Sequence, residues 1–358
     1  MSQIETWDNI PADMQINTVP QAGDTEGDGN DDTSTGTDTS NGDSHGNDEF
    51  HGGSGDDSHQ GGSGDDSMSG GAGNDTIEGG DGNDHIWAGA GDNGDDEFVG
   101  GQGDDQMGGG AGNDTLIGDD AANGSSDGSD SLYGGTGNDV LVGGGWNDSN
   151  GNGHFDDGEE TTHGIAHNSL WAGDGDDSVY GANGDDVLGG GNGSDTLYGE
   201  AGNDDIYAGR DAGDDSLDGG DGNDRIYSSA GNDDVLGGNG DDTLYGGSGA
   251  DTLSGGDGTD KIYGGSGNDT LYGGAGHDTF YFAAGHGDDV VEDFSKAEDT
   301  LYIHNTTTDF TSVSDLTAAS TETTLNGEAG LMIDTGGGDS IFLAGITTSD
   351  LSSMDIVF

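Results

Sequence analysis

Residues 246–281 read GGSGADTLS GGDGTDKIY GGSGNDTLY GGAGHDTFY, four units of nine residues with no gap between them. Each unit is Gly-Gly-x-Gly-x-Asp-x-U-x, where U is a large apolar residue. The Asp slot holds Asp251, Asp260, Asp269 and Asp278, and the U slot holds Leu253, Ile262, Leu271 and Phe280. Apolar residues at so regular an interval belong to a solenoid, whose units stack because none can enclose a core alone.

The same unit recurs upstream. A degenerate copy at Asp43–His51 places Asp48 and Phe50 in the two slots, and clean copies run from Gly52 to Tyr281, about twenty-two in all. Their Asp slots are Asp57, Asp66, Asp75, Asp84, Asp96, Asp105, Asp114, Asp130, Asp139, Asp177, Asp186, Asp195, Asp204, Asp215, Asp224, Asp233 and Asp242, then the four already named. One unit departs from the rule, with Asn168 in that slot, and His59 is the weak member of the U series. Insertions lie around Asp92–Asp95, Asp119–Ser129, Trp146–His167 and Arg210–Gly213. All four fall between the glycines and the Asp, in a loop where a solenoid tolerates extra residues. Past Tyr281 the spacing loosens, and Asp289 and Val291 continue the pattern once more. Short strands are then expected at Thr300–Ile303, Leu331–Asp334, Ser340–Leu343 and Asp355–Phe358.

Composition points to a cation. The 358 residues carry 80 Gly and a formal net charge of −71, with only 27% apolar residues. Such a chain resists close packing without counter-ions. With Lys+Arg at 4, no basic stripe can meet nucleic acid or an anionic membrane surface. Cys is 0, so there is neither a disulfide framework nor a thiolate metal site. The opening MSQIETWDNIPADM lacks the basic and apolar regions of a cleavable signal, and no run is long enough to span a bilayer. Glycines that allow positive φ bring carbonyls together, and Asp adds a carboxylate oxygen; calcium takes six to eight such hard oxygens.

On these nonapeptides the chain resembles the RTX (repeats-in-toxin, haemolysin-type calcium-binding) family. The resemblance implies an all-β fold, a parallel β-roll of two sheets. Each calcium ion would sit between the loops of repeats n and n+2, with both Asp slots as ligands, Asp289 included. It divides the chain into a disordered acidic leader (1–42), a calcium-binding roll (43–281) and a capping β region (282–358) similar to that of serralysin-type proteases. The ending Met354-Asp355-Ile356-Val357-Phe358 resembles the uncleaved type I secretion signal of the family. That implies export from a Gram-negative bacterium by the type I machinery, with folding on calcium outside the cell. Eleven or so coils are expected.

The largest insertion (146–167) holds a second calcium pattern, the twelve-residue loop Asp148–Glu159. Asp148, Asn150, Asn152, the His154 carbonyl, Asp156 and Glu159 would be its ligands, with Gly153 at the turn. His163 and His167 lie beside it without an HExxH motif, which counts against a serralysin-like protease. No catalytic residues are assigned: acidic pairs such as Asp241–Asp242 recur with the repeat, as metal ligation and solvation require. The last slot carries an aromatic series (Trp87, Tyr133, Trp171, Tyr207, Tyr227, Tyr245, Tyr263 and Tyr281) on one outward face. It reads as a stacking ladder, or as a stripe for a cell-surface, glycan or matrix partner. A further alternative is a non-catalytic partner of an RTX protease, lipase or epimerase.

Overall fold

The structure is a computed structural model that describes residues 39–41, 46–119, 128–146, 160–161, 166–304 and 306–358. Among the described residues, successive strands of the repeats alternate between two sheets, one of 16 strands and one of 14, in a solenoid of about 13 turns. Partners in the repeats are parallel and in register, so like meets like: Leu253 faces Leu271, and Leu244 faces Ile262. The period of two along each strand turns the U residue inward. Leu244, Leu253, Ile262 and Leu271 are all fully enclosed, forming two facing apolar rows one residue deep. His59 keeps its place in the row by stacking flat on Phe50 across the core, with ring centroids 4.0 Å apart.

The repeat strands are three to seven residues long. Thr243–Ser248 and Thr252–Gly258 run through the glycines, whose backbones also pair from coil to coil. Glycine is required here by space as well as by φ. Gly249 has φ +143°, and a Cβ on it would lie 1.4 Å from the Gly231 carbonyl oxygen. Three non-glycine residues take the left-handed conformation at the second position of their units: Ala182 (φ 85°), Glu200 (φ 74°) and Ser229 (φ 75°).

The stack extends beyond the repeats at both ends. Thr39–Asn41 pairs in parallel with the strand Ser58–Ser63, so a strand stands at the end of the segment expected to be a disordered leader. At the other end Asp288–Val291 pairs in parallel with Asp339–Ala344, and Thr300–Ile303 with Asp355–Val357. The cap thus continues both sheets, which is why the turns outnumber the expected eleven. Two antiparallel pairings then join Ser320–Leu325, Glu328–Gly336 and Asp339–Ala344. A short helix, Val313–Ala318, was not foreseen; Ser312 caps it by accepting from the Asp315 amide. Its Leu316, with Phe294, Phe310, Ile346, Leu351 and Met354, closes the apolar rows against water. The expected calcium loop 148–159 lies outside the described residues.

Two columns of candidate metal sites

At each edge of the roll the Asp slots form a continuous column. The backbone N–H of each slot residue donates to Oδ1 of the slot residue one coil further on, as from Asp242 to Asp260 (2.9 Å) and from Asp260 to Asp278 (3.0 Å). One column runs from Asp48 through Asp66, Asp84, Asp105, Asp130, Asn168, Asp186, Asp204, Asp224, Asp242 and Asp260 to Asp278 and Asp299. The other runs from Asp57 through Asp75, Asp96, Asp114, Asp139, Asp177, Asp195, Asp215, Asp233 and Asp251 to Asp269 and Asp289. The loop brings the slots together because its glycines let each turn nest on the one below.

The second oxygen is the informative one. Oδ2 of Asp75, Asp84, Asp105, Asp139, Asp204, Asp242 and Asp260 is buried and meets no hydrogen-bond donor. It lies in a cradle that a Cβ would fill. A methyl group on Gly79 would come within 2.2 Å of Asp84 Oδ2 and 2.4 Å of the Gly100 carbonyl oxygen. Alanine takes that position at 88, 172 and 208, where the methyl joins the apolar row. A buried carboxylate oxygen beside carbonyl oxygens, with no N–H or O–H in reach, is a donor set for a hard cation.

Electrostatics agree. Burial pushes Asp105, Asp139 and Asp204 up to about 8 and Asp75 and Asp260 up to about 6, against the partial relief of the amide bond to Oδ1. Neighbouring carboxylates raise them further: Asp84 acts on Asp105, and Asp186 and Asp224 act on Asp204. At neutral pH the groups near 8 hold a proton unless a positive ion takes its place. The donors are oxygens throughout, which favours calcium over softer metals that seek nitrogen or sulfur.

Three rungs differ, and each places a protein hydrogen-bond donor at the slot. Asn168 Nδ2 donates to the Gly181 carbonyl at 3.0 Å, so an amide N–H points where other rungs present Oδ2. Asp289 Oδ2 meets His286 Nδ1 at 2.7 Å, and His286 Nε2 meets Thr335 Oγ1 at 2.8 Å. Thr335 Oγ1 donates onward to the Asp339 carbonyl at 3.0 Å, so the ring is held between the two side chains. Asp289, grouped by the sequence with the calcium ligands, is thereby partnered by His286. Asp299 ends the other column, with Oδ2 accepting from the Ser295 amide at 2.7 Å. Restoring a carboxylate should restore a site: Asn168→Asp is expected to bind one more calcium ion than the parent chain, counted by calorimetry or ion analysis. An unchanged count would remove the role given to Asn168.

Asp289, His286 and Thr335 lie in the order of a hydrolytic triad, but Thr335 is fully enclosed and its hydroxyl is committed to a carbonyl. No substrate could reach it. The pair Asp241–Asp242 divides its work in a way the sequence does not announce. Asp242 lies in the buried column, while exposed Asp241 accepts from the Thr259 amide, one rung of an outer ladder. That ladder runs through the fifth position of the unit: Asn74 donates to Asp56, Asn83 to Asp65 and Asn203 to Asp185, each through backbone N–H to Oδ1. The recurrence of Asn, Asp and Ser at that position was its signal.

The aromatic series stacks face to face. Ring centroids are 4.7 Å apart between Tyr227 and Tyr245, 4.7 Å between Tyr245 and Tyr263, and 4.2 Å between Tyr263 and Tyr281. At Gly108 and Gly189 the rings of Trp87 and Trp171 cover the missing side chain. Rings that spend their faces on one another offer only edges outward, which supports the ladder reading.

The architecture defines a calcium-binding parallel β-roll. The RTX calcium-binding nonapeptide repeat (4 copies) matches this chain in overlapping segments at residues 60–94, 91–123, 125–149, 164–188, 180–212, 211–244, 236–271, 245–280 and 254–289, more than half of its length. The chain belongs to that family, whose repeats bind calcium. No curated protein matches it. Among solved structures, the extracellular lipase LipA from Serratia marcescens is similar at 20% identity and a TM-score of 0.27, over 69% of this chain and 45% of the lipase chain. This chain therefore spans less than half the length of that enzyme.

Proposed function

We propose that the chain is a secreted calcium-binding protein whose roll folds when calcium enters the two columns, and that it acts without catalysis. The observation that carries this reading is the buried, donor-free Oδ2 repeated from coil to coil. The ligands are the Asp slots of successive coils together with glycine carbonyls. Cytosolic calcium is too scarce to fill extracellular-type sites, so the chain stays unfolded and threadable until it leaves the cell. Residues 43–281 supply the ion-driven part and 282–358 the closure of its apolar end. In the folded chain the terminal Asp355–Val357 pairs with Thr300–Tyr302. The same residues are free to serve as an export signal only before folding.

The test is export. Produced beside a type I exporter, the full chain should appear in the medium, where calcium makes it resistant to protease. A chain lacking residues 354–358 should remain in the cell. Secretion of both chains, or of neither, would overturn the export reading while leaving calcium binding to be measured separately. Among the described residues no helix is long and apolar enough to cross a membrane.

A further inference from the structure

We infer that the insertion at Asp92–Asp95 carries a ligand of its own, and that Asp75, Asp92 and Asp96 form a three-carboxylate cation site, the tightest in the roll. This rests on the reading of the columns as calcium sites and adds a residue that no slot of the repeat supplies. A ligand oxygen from each of the three lies within 4.8 Å of the others. All three side chains are buried, Asp92 at 5% exposure. Oδ2 of each meets no hydrogen-bond donor. Asp92 is held in place through its other oxygen, which accepts from the amides of Gly73 (3.2 Å), Asn93 (2.7 Å) and Gly94 (3.0 Å).

The place of Asp92 in the repeat explains why an insertion would bring a carboxylate. In uninterrupted units the amide of the fourth-position glycine donates to a third-position carbonyl of the next coil, as Gly64 does to Asp81 and Gly240 to Asp257. The insertion displaces that carbonyl, and the Asp92 side chain accepts from Gly73 in its stead. The shorter insertion repeats the device, with Asp211 Oδ2 accepting from Gly193 at 2.9 Å. A side chain that replaces a neutral carbonyl with a carboxylate adds a negative charge to the site. The Asp92 carboxylate stands directly against that of Asp96, an arrangement that needs a cation or a shared proton between them. Three carboxylates around one ion leave a divalent cation over-compensated and favour a trivalent one. More ligand charge tightens oxygen sites of this kind.

Two measurements on the full chain test this. In competition with a chromophoric chelator, the parent chain should show one calcium ion bound about tenfold or more tighter than the rest. Asp92→Asn keeps the amide-accepting oxygen and should lose that one ion's advantage, with the remaining ions unchanged. Superimposable curves for parent and variant would overturn the inference. The second measurement needs no variant: with every site loaded with calcium, a low concentration of lanthanum should displace one ion before any other. Uniform displacement across the sites would also overturn it. A parent chain that binds no calcium would instead defeat the calcium reading of the columns themselves.

Discussion

Chelating calcium at neutral pH unfolds the whole roll: far-ultraviolet circular dichroism is expected to show coil in chelator and β structure in millimolar calcium. The apolar rows are one residue deep, so each coil buries a single U side chain per sheet. Against this stand the ordering of glycine-rich loops and the repulsion within two columns of buried carboxylates. Each site that calcium fills adds about 2.7 kcal/mol when the ion is a hundredfold above its Kd. With most coils holding a site at each edge, the sum exceeds the net stability of an ordinary domain, about 5–15 kcal/mol. The transition should be steep in calcium, because each ion joins two coils and neighbours fold together. A full β spectrum in chelator at neutral pH would sink the account.

Acid should substitute for calcium in part. The slot carboxylates of the ion-free roll lie above the ordinary value of 3.8, at about 6 for Asp75 and Asp260 and about 8 for Asp105, Asp139 and Asp204. Groups raised on folding take up protons as the chain folds. Their contribution to ion-free stability is complete below the unfolded value near 3.8 and is lost as pH climbs through about 6 to 8. In chelator, therefore, lowering pH from 8 toward 4 should increase β signal. In calcium the same change should lower the calcium needed to reach the folding midpoint, because protons on the slot carboxylates already favour the fold. A midpoint independent of pH across that window would show that these carboxylates take up no protons on folding.

The columns and apolar rows were legible because each rests on one residue type at one interval. Asp260 and Ile262 lie where the nonapeptide puts them, and the two-repeat coil follows once Leu253 is paired with Leu271. What the repeat hides is whatever does not recur. His286 occupies a loose unit, and only its contact with Asp289 across the turn reveals that a ring stands beside a slot. Asp299 belongs to a column although no Gly-Gly-x-Gly precedes it, so it does not read as a slot. Asp92 reads as one more acidic residue in an acidic chain until the fold sets it against Asp75 and Asp96. The helix Val313–Ala318 sits in a Thr/Ser-rich stretch whose composition suggests turns; its Leu316 is held by the end of the core.

The buried Asp column and the outer ladder are tied in opposite senses. In the first, the amide of one coil reaches forward to the next side chain; in the second, it reaches back, as Asp242 does to Asp260 and Thr259 to Asp241. Every coil is consequently clasped from both sides and cannot slide without breaking two sets of bonds at once. Tension applied along the axis has no soft shear direction to exploit and must peel coils from an end. Each uninterrupted coil that peels frees 18 residues, roughly 60 Å of slack at about 3.4 Å per residue, and a coil with an insertion frees more, up to 38 residues, so the rod yields as a ratchet whose longer clicks mark its insertions.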